Sequence, residues 1–177
     1  MTPDDLKALV RTVPDFPVAS IQFRDLTTLI AHREGLSACI EALAQAAPDG
    51  IGAVAGIEAR GFIFGAALAT RLGTGFVPIR KAGKLPVATI GEDYALEYGT
   101  ARIEIDPALI DAGERVLLVD DLIATGGTAI ACAQLLRRAG ADVTHAAFVI
   151  DLPDLGGADR LRGEGVAVHA LMAFDGD

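Results

Sequence analysis

The chain has 177 residues, 51% hydrophobic and 22% charged, which suits a single domain spanning 1–177 around a substantial core. Its 24 acidic and 15 basic residues give a formal net charge of -9, against bulk affinity for nucleic acid or an anionic membrane surface, both of which call for a basic face. With acids in the amino-terminal MTPDDLKALV, no apolar run near the ~18 residues of a membrane span, and two widely spaced cysteines in apolar patterns, an intracellular, cytoplasmic protein is expected.

Residues 3–12 carry helical spacing, with Thr2 as the cap and Pro3 at the first helical position. Residues 35–47, GLSACIEALAQAA, form a second helical pattern that holds Cys39. Between them FPVASIQFRDLTTLI is rich in large apolar residues but has no period, and it reads as irregular. Then an alternation begins. IGAVAGI is a buried strand, RGFIFGAALATRLG a helix closed by Gly73, with Phe62 and Phe64 as core residues, and GFVPIR another strand. GERVLLVD is a strand, GTAIACAQLLRRAGA a helix that holds Cys132 and stops at Gly140, and DVTHAAFVID and VAVHALMAF are strands. This alternation predicts a doubly wound α/β fold, a mostly parallel sheet flanked by helices, with ligands outside the carboxyl ends of the strands. The loops after residues 57, 80, 119 and 150 should therefore face one site.

One connection is long. Residues 81–99, KAGKLPVATIGEDYALEYG, hold Gly, Pro and charges without a sustained period. A flexible loop or lid with a mobile tip and a paired hairpin base is expected there. Tyr94 and Tyr98 in it are candidates either for ligand contact or for hairpin packing. The isolated His32, His145 and His169 lack a cysteine or carboxylate cluster and read as structural or exposed.

The charges are laid out unevenly. Residues 59–91 contain Arg60, Arg71, Arg80, Lys81 and Lys84 and no Asp or Glu, a cationic island suited to a small polyanion or, alternatively, a chance cluster on a solvated face. In RVLLVDDLIATGGTAI, residues 115–130, a predicted strand ends at Val119, and Gly126, Gly127 and Thr128 open a helix. Such a turn presents backbone N–H groups beside a helix amino terminus, with hydroxyls from Thr125 and Thr128, and cradles an anion. A phosphate alone leaves Asp120 and Asp121 unexplained, since carboxylates repel it. A sugar resolves this: its vicinal diol donates to the two carboxylates while its 5′-phosphate sits in the cradle. A plain strand–turn–helix corner would need one capping carboxylate, whereas this motif has two. The turn also lacks the lysine of a P-loop and the spacing of G-x-G-x-x-G, so the pattern points to ribose 5-phosphate.

VLLVDDLIATGGT resembles the phosphoribosyl-diphosphate (PRPP) binding motif of type I phosphoribosyltransferases. FRDLTTLI, IEARGFIFGAALATRLG, VPIRKAGKLP and YALEYGTARIEI fall in the order seen in the adenine phosphoribosyltransferase family, so the resemblance covers roughly residues 14–155. It implies a Mg²⁺-dependent, typically homodimeric enzyme that converts adenine and PRPP to AMP and pyrophosphate in purine salvage. The implied fold adds a small base-binding hood, here mainly 14–30 and 151–177, to the sheet.

The roles implied by the resemblance are as follows. Asp120 and Asp121 bind the ribose hydroxyls, with Mg²⁺ held mainly by PRPP near them and no direct protein ligand expected, and Ala124, Thr125, Gly126, Gly127 and Thr128 hold the 5′-phosphate. Glu58, Ala59 and Arg60 form the pyrophosphate loop, where the family's cis peptide would fall between Glu58 and Ala59, and Arg80, Lys81 and Lys84 contact pyrophosphate from the start of the flexible loop. Glu97 exchanges a proton with N7 of the base, Phe23 and Leu152 sandwich the purine, and Gln22 and Arg24 read its edge through their backbone. The Arg24 side chain alternatively supports the pocket by pairing with Asp25 or another acid. One departure bears on the path into the base pocket: Ala19-Ser20 stands where many relatives have Pro-Gly. A phosphoribosyltransferase for hypoxanthine, guanine or xanthine is the nearest alternative. A non-catalytic PRPP sensor is a further one, although such sensors usually add a DNA-binding domain.

Overall fold

The computed structural model describes residues 1–95 and 99–176. At its centre AVAGI forms β3 (Ala53–Ile57), every residue of which is buried, as expected of a parallel strand covered on both faces. Around it lie β4 (Gly75–Lys81), β5 (Ile90–Ala95), β6 (Thr100–Ile105), β7 (Arg115–Ile123), β8 (Asp142–Asp151) and β9 (Ala167–Ala173), in the order β5-β6-β4-β3-β7-β8-β9. The five strands from β4 to β9 in that order are parallel, and β6 and β5 add an antiparallel edge.

Helices cover both faces. On one, α5 (Gly127–Arg138) and α6 (Gly157–Gly163) pack Cys132, Leu135, Leu136 and Leu161 onto the sheet. On the other, α1 (Pro3–Ala8), α2 (Thr27–Ala31), α3 (Gly35–Ala46) and α4 (Gly61–Leu72) contribute Leu6, Leu29, Cys39, Leu43, Phe64 and Leu68. The doubly wound architecture expected from the alternation is the one observed. Cys39 and Cys132 are both free and buried, and burial pushes the Cys39 thiol up to about 12.

Local chemistry sets the boundaries. Thr2 and Asp5 form a reciprocal capping box at α1, and Pro3 occupies the first turn. The helix ends at Ala8, short of residue 12, because Arg11–Pro14 pairs as β1 with β2 (Gln22–Asp25). Helix α4 stops where Gly73 adopts φ 71°, a left-handed conformation that glycine reaches without a Cβ clash.

The stretch read as irregular is therefore a short antiparallel hairpin followed by α2. Two strands of four residues, β1 mostly exposed and β2 half-buried to buried, are too short to show a period in the sequence. Asp25 ties the corner: it accepts from the Thr27 hydroxyl and backbone N–H and pairs with Arg11, and these bonds hold its carboxyl at about 2. In the hairpin loop Ser20 has φ 73°, and its N–H donates to Asp15 Oδ1 at 2.9 Å. The chain thus keeps a glycine-type path at this departure from the family pattern, at a cost on the order of 1 kcal/mol for a residue that has a Cβ.

Two further elements position the site. The β5–β6 hairpin supplies the paired base expected for the long connection, and Arg138 at the end of α5 holds it by donating to the Gly91 carbonyl and pairing with Glu92. Helix α6 was not foreseen, since GGADRLRG is brief and opens on two glycines.

Candidate active site

A cavity of about 450 Å³ opens at the carboxyl ends of β3, β4 and β7. The β3–α4 turn contributes Glu58, Ala59 and Arg60, β4 contributes Lys81, β5 contributes Tyr94, and the stretch from Asp120 to Ala129 forms the remaining wall. Three of the four loops expected to converge do so. The loop after β8 instead turns towards α6, and none of its residues lines the cavity.

Strand β7 runs to Ile123, four residues beyond the predicted end, and Asp120 and Leu122 still face Phe148 and Ile150 of β8. The two carboxylates therefore belong to a rigid strand, and the turn shrinks to Ala124–Gly126. Asp121 is buried and its Oδ2 pairs with the Arg60 guanidinium, while its Oδ1 accepts from the Leu122 N–H at 2.9 Å. Asp120 Oδ1 accepts from the Asp121 N–H at 2.8 Å. Burial, reinforced by the negative charge of Asp121, pushes the Asp120 carboxyl well above the usual carboxylate range. Arg60 and the backbone amides offset the cost of placing two acids here, and the acceptor oxygens of the pair suit a ligand that brings hydroxyl donors. A Cβ on Gly61 would lie 2.6 Å from Asp120 Oδ1, so the first residue of α4 must be glycine for this carboxyl to keep its place.

The turn that follows is anion-binding in shape. Gly126 caps α5 with φ 83° and offers no side chain to the first-turn amides. The turn is braced from behind by α6, which sequence reasoning missed. A Cβ on Gly157 would lie 2.1 Å from the Ala124 carbonyl oxygen, and Arg160 Nη1 donates to the Thr125 carbonyl at 2.7 Å. The one sequence signal was the Gly-Gly pair at 156–157, legible as a close backbone approach but not as an approach to this turn.

The cationic island separates into parts. Arg60 and Lys81 line the cavity. Arg80 does not: its Nε lies 3.4 Å from Glu58 Oε2 and its Nη1 donates to the Lys84 carbonyl at 3.1 Å. Lys84 is exposed beyond the lining, and Arg71 pairs with Glu41 on α3, well away from the site. The Glu58–Ala59 peptide is cis, at the position implied by the resemblance. Glu58 Oε2 accepts from the Lys81 N–H at 2.9 Å, and this bond lowers the Glu58 carboxyl pKa against the opposing effect of burial, with Arg80 adding to it.

The residues expected to hold a base stand beside the cavity and not in its lining. The Arg60 guanidinium lies 5.6 Å from the Phe23 ring centroid, and Phe16 meets Phe23 edge-on at 5.2 Å. Leu152 donates its N–H to the Ile123 carbonyl at 3.1 Å, next to the anion turn. Gln22 and Arg24 sit on β2 with Phe23; Arg24 bonds Thr12, while Asp25 is held by Arg11 and Thr27. Tyr94 lines the cavity and packs against the core, in keeping with the hairpin-packing reading. Glu97 and Tyr98 lie outside the described residues. His145 and His169 border a small cavity at the far end of β8 and β9, and among the described residues no group of three metal-binding side chains is found.

Residues 25–162 match the family model described as phosphoribosyl transferase domain. The adenine phosphoribosyltransferase of Novosphingobium aromaticivorans is 71% identical over 177 residues, covering 99% of both chains. The chain belongs to the adenine phosphoribosyltransferase family. Among solved structures, the family member from Rhodothermus marinus superposes with a TM-score of 0.90 at 49% identity, covering 97% of this chain and 98% of that one. The Saccharomyces cerevisiae adenine phosphoribosyltransferase, solved with an imino-altritol bisphosphate and adenine, superposes with a TM-score of 0.90 at 38% identity, covering 96% and 98%. The family model begins at Asp25, so the β1–β2 hairpin is matched by whole-length relatives and not by the model.

Proposed function

We propose that this chain transfers the 5-phosphoribosyl group of PRPP to adenine, releasing AMP and pyrophosphate, in purine salvage. The observation that carries the reading is the joining, in one cavity, of the Asp120–Asp121 pair, the uncapped turn at Ala124–Thr128 and the cations Arg60 and Lys81. A ribose 5-phosphate lies across the wall from Asp120 to Thr128, hydroxyls on the carboxylates and phosphate on the amides. The pyrophosphate then meets Glu58, Ala59 and Arg60, with Lys81 beside them and Arg80 and Lys84 reaching in from the flexible loop of residues 81–99.

Adenine occupies a slot between Phe23 and Leu152, with the backbone of Gln22 and Arg24 reading its edge. The hood thus spans mainly 14–30 and 151–177 of a single domain, 1–177. As N9 of adenine attacks C1′, the bond from C1′ to the pyrophosphate oxygen breaks, positive charge builds on the ribose, and negative charge builds on the departing group. Arg60 and Lys81 stabilise the departing charge, and the aspartates orient the diol beside the electron-poor ring. Glu97 accepts the proton that the purine loses at N7. Closure of the 81–99 loop excludes water from an oxocarbenium-like centre that water would otherwise capture.

Among the described residues no group of three metal-binding side chains is found, and the hard carboxylate oxygens of Asp120 and Asp121 suit Mg²⁺ that arrives with the phosphates. When bound, Mg²⁺ supplies charge neutralisation of the leaving group. We also propose a cytoplasmic homodimer, supported by the two free buried cysteines and by the exposed apolar side chains Ile63 on α4 and Val87 in the long loop. No nucleic acid or membrane partner is proposed; among the described residues no helix is long and apolar enough to cross a membrane.

Incubation of the protein with PRPP, Mg²⁺ and a panel of adenine, hypoxanthine, guanine and xanthine tests the reading, with chromatography of the nucleotides formed. AMP as the dominant product is expected. Formation of IMP, GMP or XMP instead would assign another base, and no nucleotide from any base would leave a PRPP sensor.

A further inference from the structure

The β1–β2 hairpin that carries Phe23 is a two-stranded sheet of its own, separate from the seven-stranded sheet. A pair of four-residue strands is too small to hold a fixed position unaided. Besides the Asp25–Thr27 bonds at its corner, the chain that follows β9 tethers it. The Phe174 N–H donates to the Asp151 carbonyl at 3.1 Å, and the Gly176 N–H donates to Asp154 Oδ2 at 2.8 Å, so both flanks of Leu152 are gripped.

From the other side Arg24 Nη2 donates to the carbonyls of Asp175 and Gly176 at 3.1 and 3.3 Å, while its Nη1 donates to Thr12 on β1 at 2.7 Å. The same guanidinium lies 4.7 Å from the Phe174 ring centroid, and Lys7 of α1 lies 4.7 Å from that centroid as well. Residues 174–176 therefore bridge the strand that carries Phe23 and the segment that carries Leu152.

We propose that this strap sets the spacing and alignment of the adenine slot, with Arg24 and Phe174 as its positioning residues. The inference rests on the reading of Phe23 and Leu152 as the two walls of that slot. Neither Phe174 nor the Arg24 guanidinium lines the cavity assigned to the ribose and phosphates, so the strap acts on base binding and leaves PRPP binding alone.

The test compares the full-length protein with Phe174→Ala, Phe174→Tyr and Arg24→Lys. For Phe174→Ala the KM for adenine rises on the order of ten- to a hundredfold, because a loosened slot loses apolar contact with the base in ground and transition state alike. The KM for PRPP stays within about twofold, and kcat at saturating adenine is retained. Phe174→Tyr keeps the ring face and restores the wild-type KM. Arg24→Lys keeps a cation but loses the fork to Thr12 and the two carbonyls, and shifts the adenine KM in the same direction.

Hydrogen exchange at the amides of residues 22–25 provides a readout independent of turnover, and faster exchange in Phe174→Ala is expected. An unchanged adenine KM, or KM values for both substrates rising together, overturns the proposal, as does unchanged exchange at 22–25. A wild-type protein that makes no AMP at all contradicts the proposed function, while the exchange measurement still decides whether the strap holds the hairpin.

Discussion

Conversion of Asp120 and Asp121 together to asparagine abolishes measurable PRPP binding while the protein stays folded. On the proposed reading the ribose diol draws both side chains into hydrogen bonds, the charged ones worth about 1.5–3 kcal/mol each, so losing both weakens binding by about 10² to 10⁴. The fold tolerates the change because two effects oppose each other. Asp120 is held beside another acid in a buried place that disfavours its charge, so neutralising it relieves repulsion. Neutralising Asp121 removes the partner of Arg60, which is only partly buried and can turn to water. The single variants should therefore differ, Asp121→Asn lowering the melting temperature more than Asp120→Asn. Titration calorimetry with PRPP and thermal melts read both effects, and unaltered titration heats in the double variant would refute the assignment.

Glu97→Gln lowers turnover by about 10² to 10⁴ with PRPP affinity largely kept, the range for loss of a positioned proton-transfer group. The amide retains the size of the side chain and removes its ability to take the purine proton. The described chain before it is well held: β5 is latched to the end of α5 by Arg138, and the Ala95 carbonyl oxygen stands 3.7 Å from where a Cβ on Gly127 would be. The strand thus brings Ala95, two residues ahead of Glu97, to the amino terminus of α5. Steady-state kinetics with both substrates varied check this, and turnover equal to the wild type removes the acid–base role.

The parts of the molecule that could be read beforehand are those where one physical requirement governs many consecutive residues. The fully apolar AVAGI and the 3.6-residue rhythm of GTAIACAQLLRR each have one stable reading, and both elements are where they were expected. The location of the acidic pair at the cavity wall was legible for a related reason: a plain helix corner needs one capping carboxylate, and this turn has two. What escaped was set by contacts between distant segments. The extension of β7 to Ile123 depends on continued pairing with β8, a tertiary effect that DDLI does not announce. The retreat of Arg80 from the cavity depends on Glu58, 22 positions earlier, reaching it across the turn. The bracing of the Ala124–Gly126 turn by Gly157 and Arg160, and the contacts of Arg24 with residues 175–176, join residues 31 to 152 positions apart.

The seat of the sugar phosphate is the claim on which the rest depends, and a crystal structure of the protein soaked with AMP tests it most directly. The account predicts both ribose hydroxyls within hydrogen-bond distance of Asp120 and Asp121, and the 5′-phosphate on the amides of residues 124–128. A nucleotide bound with its phosphate at Arg80 and Lys84, or lodged away from the end of β7, would contradict it.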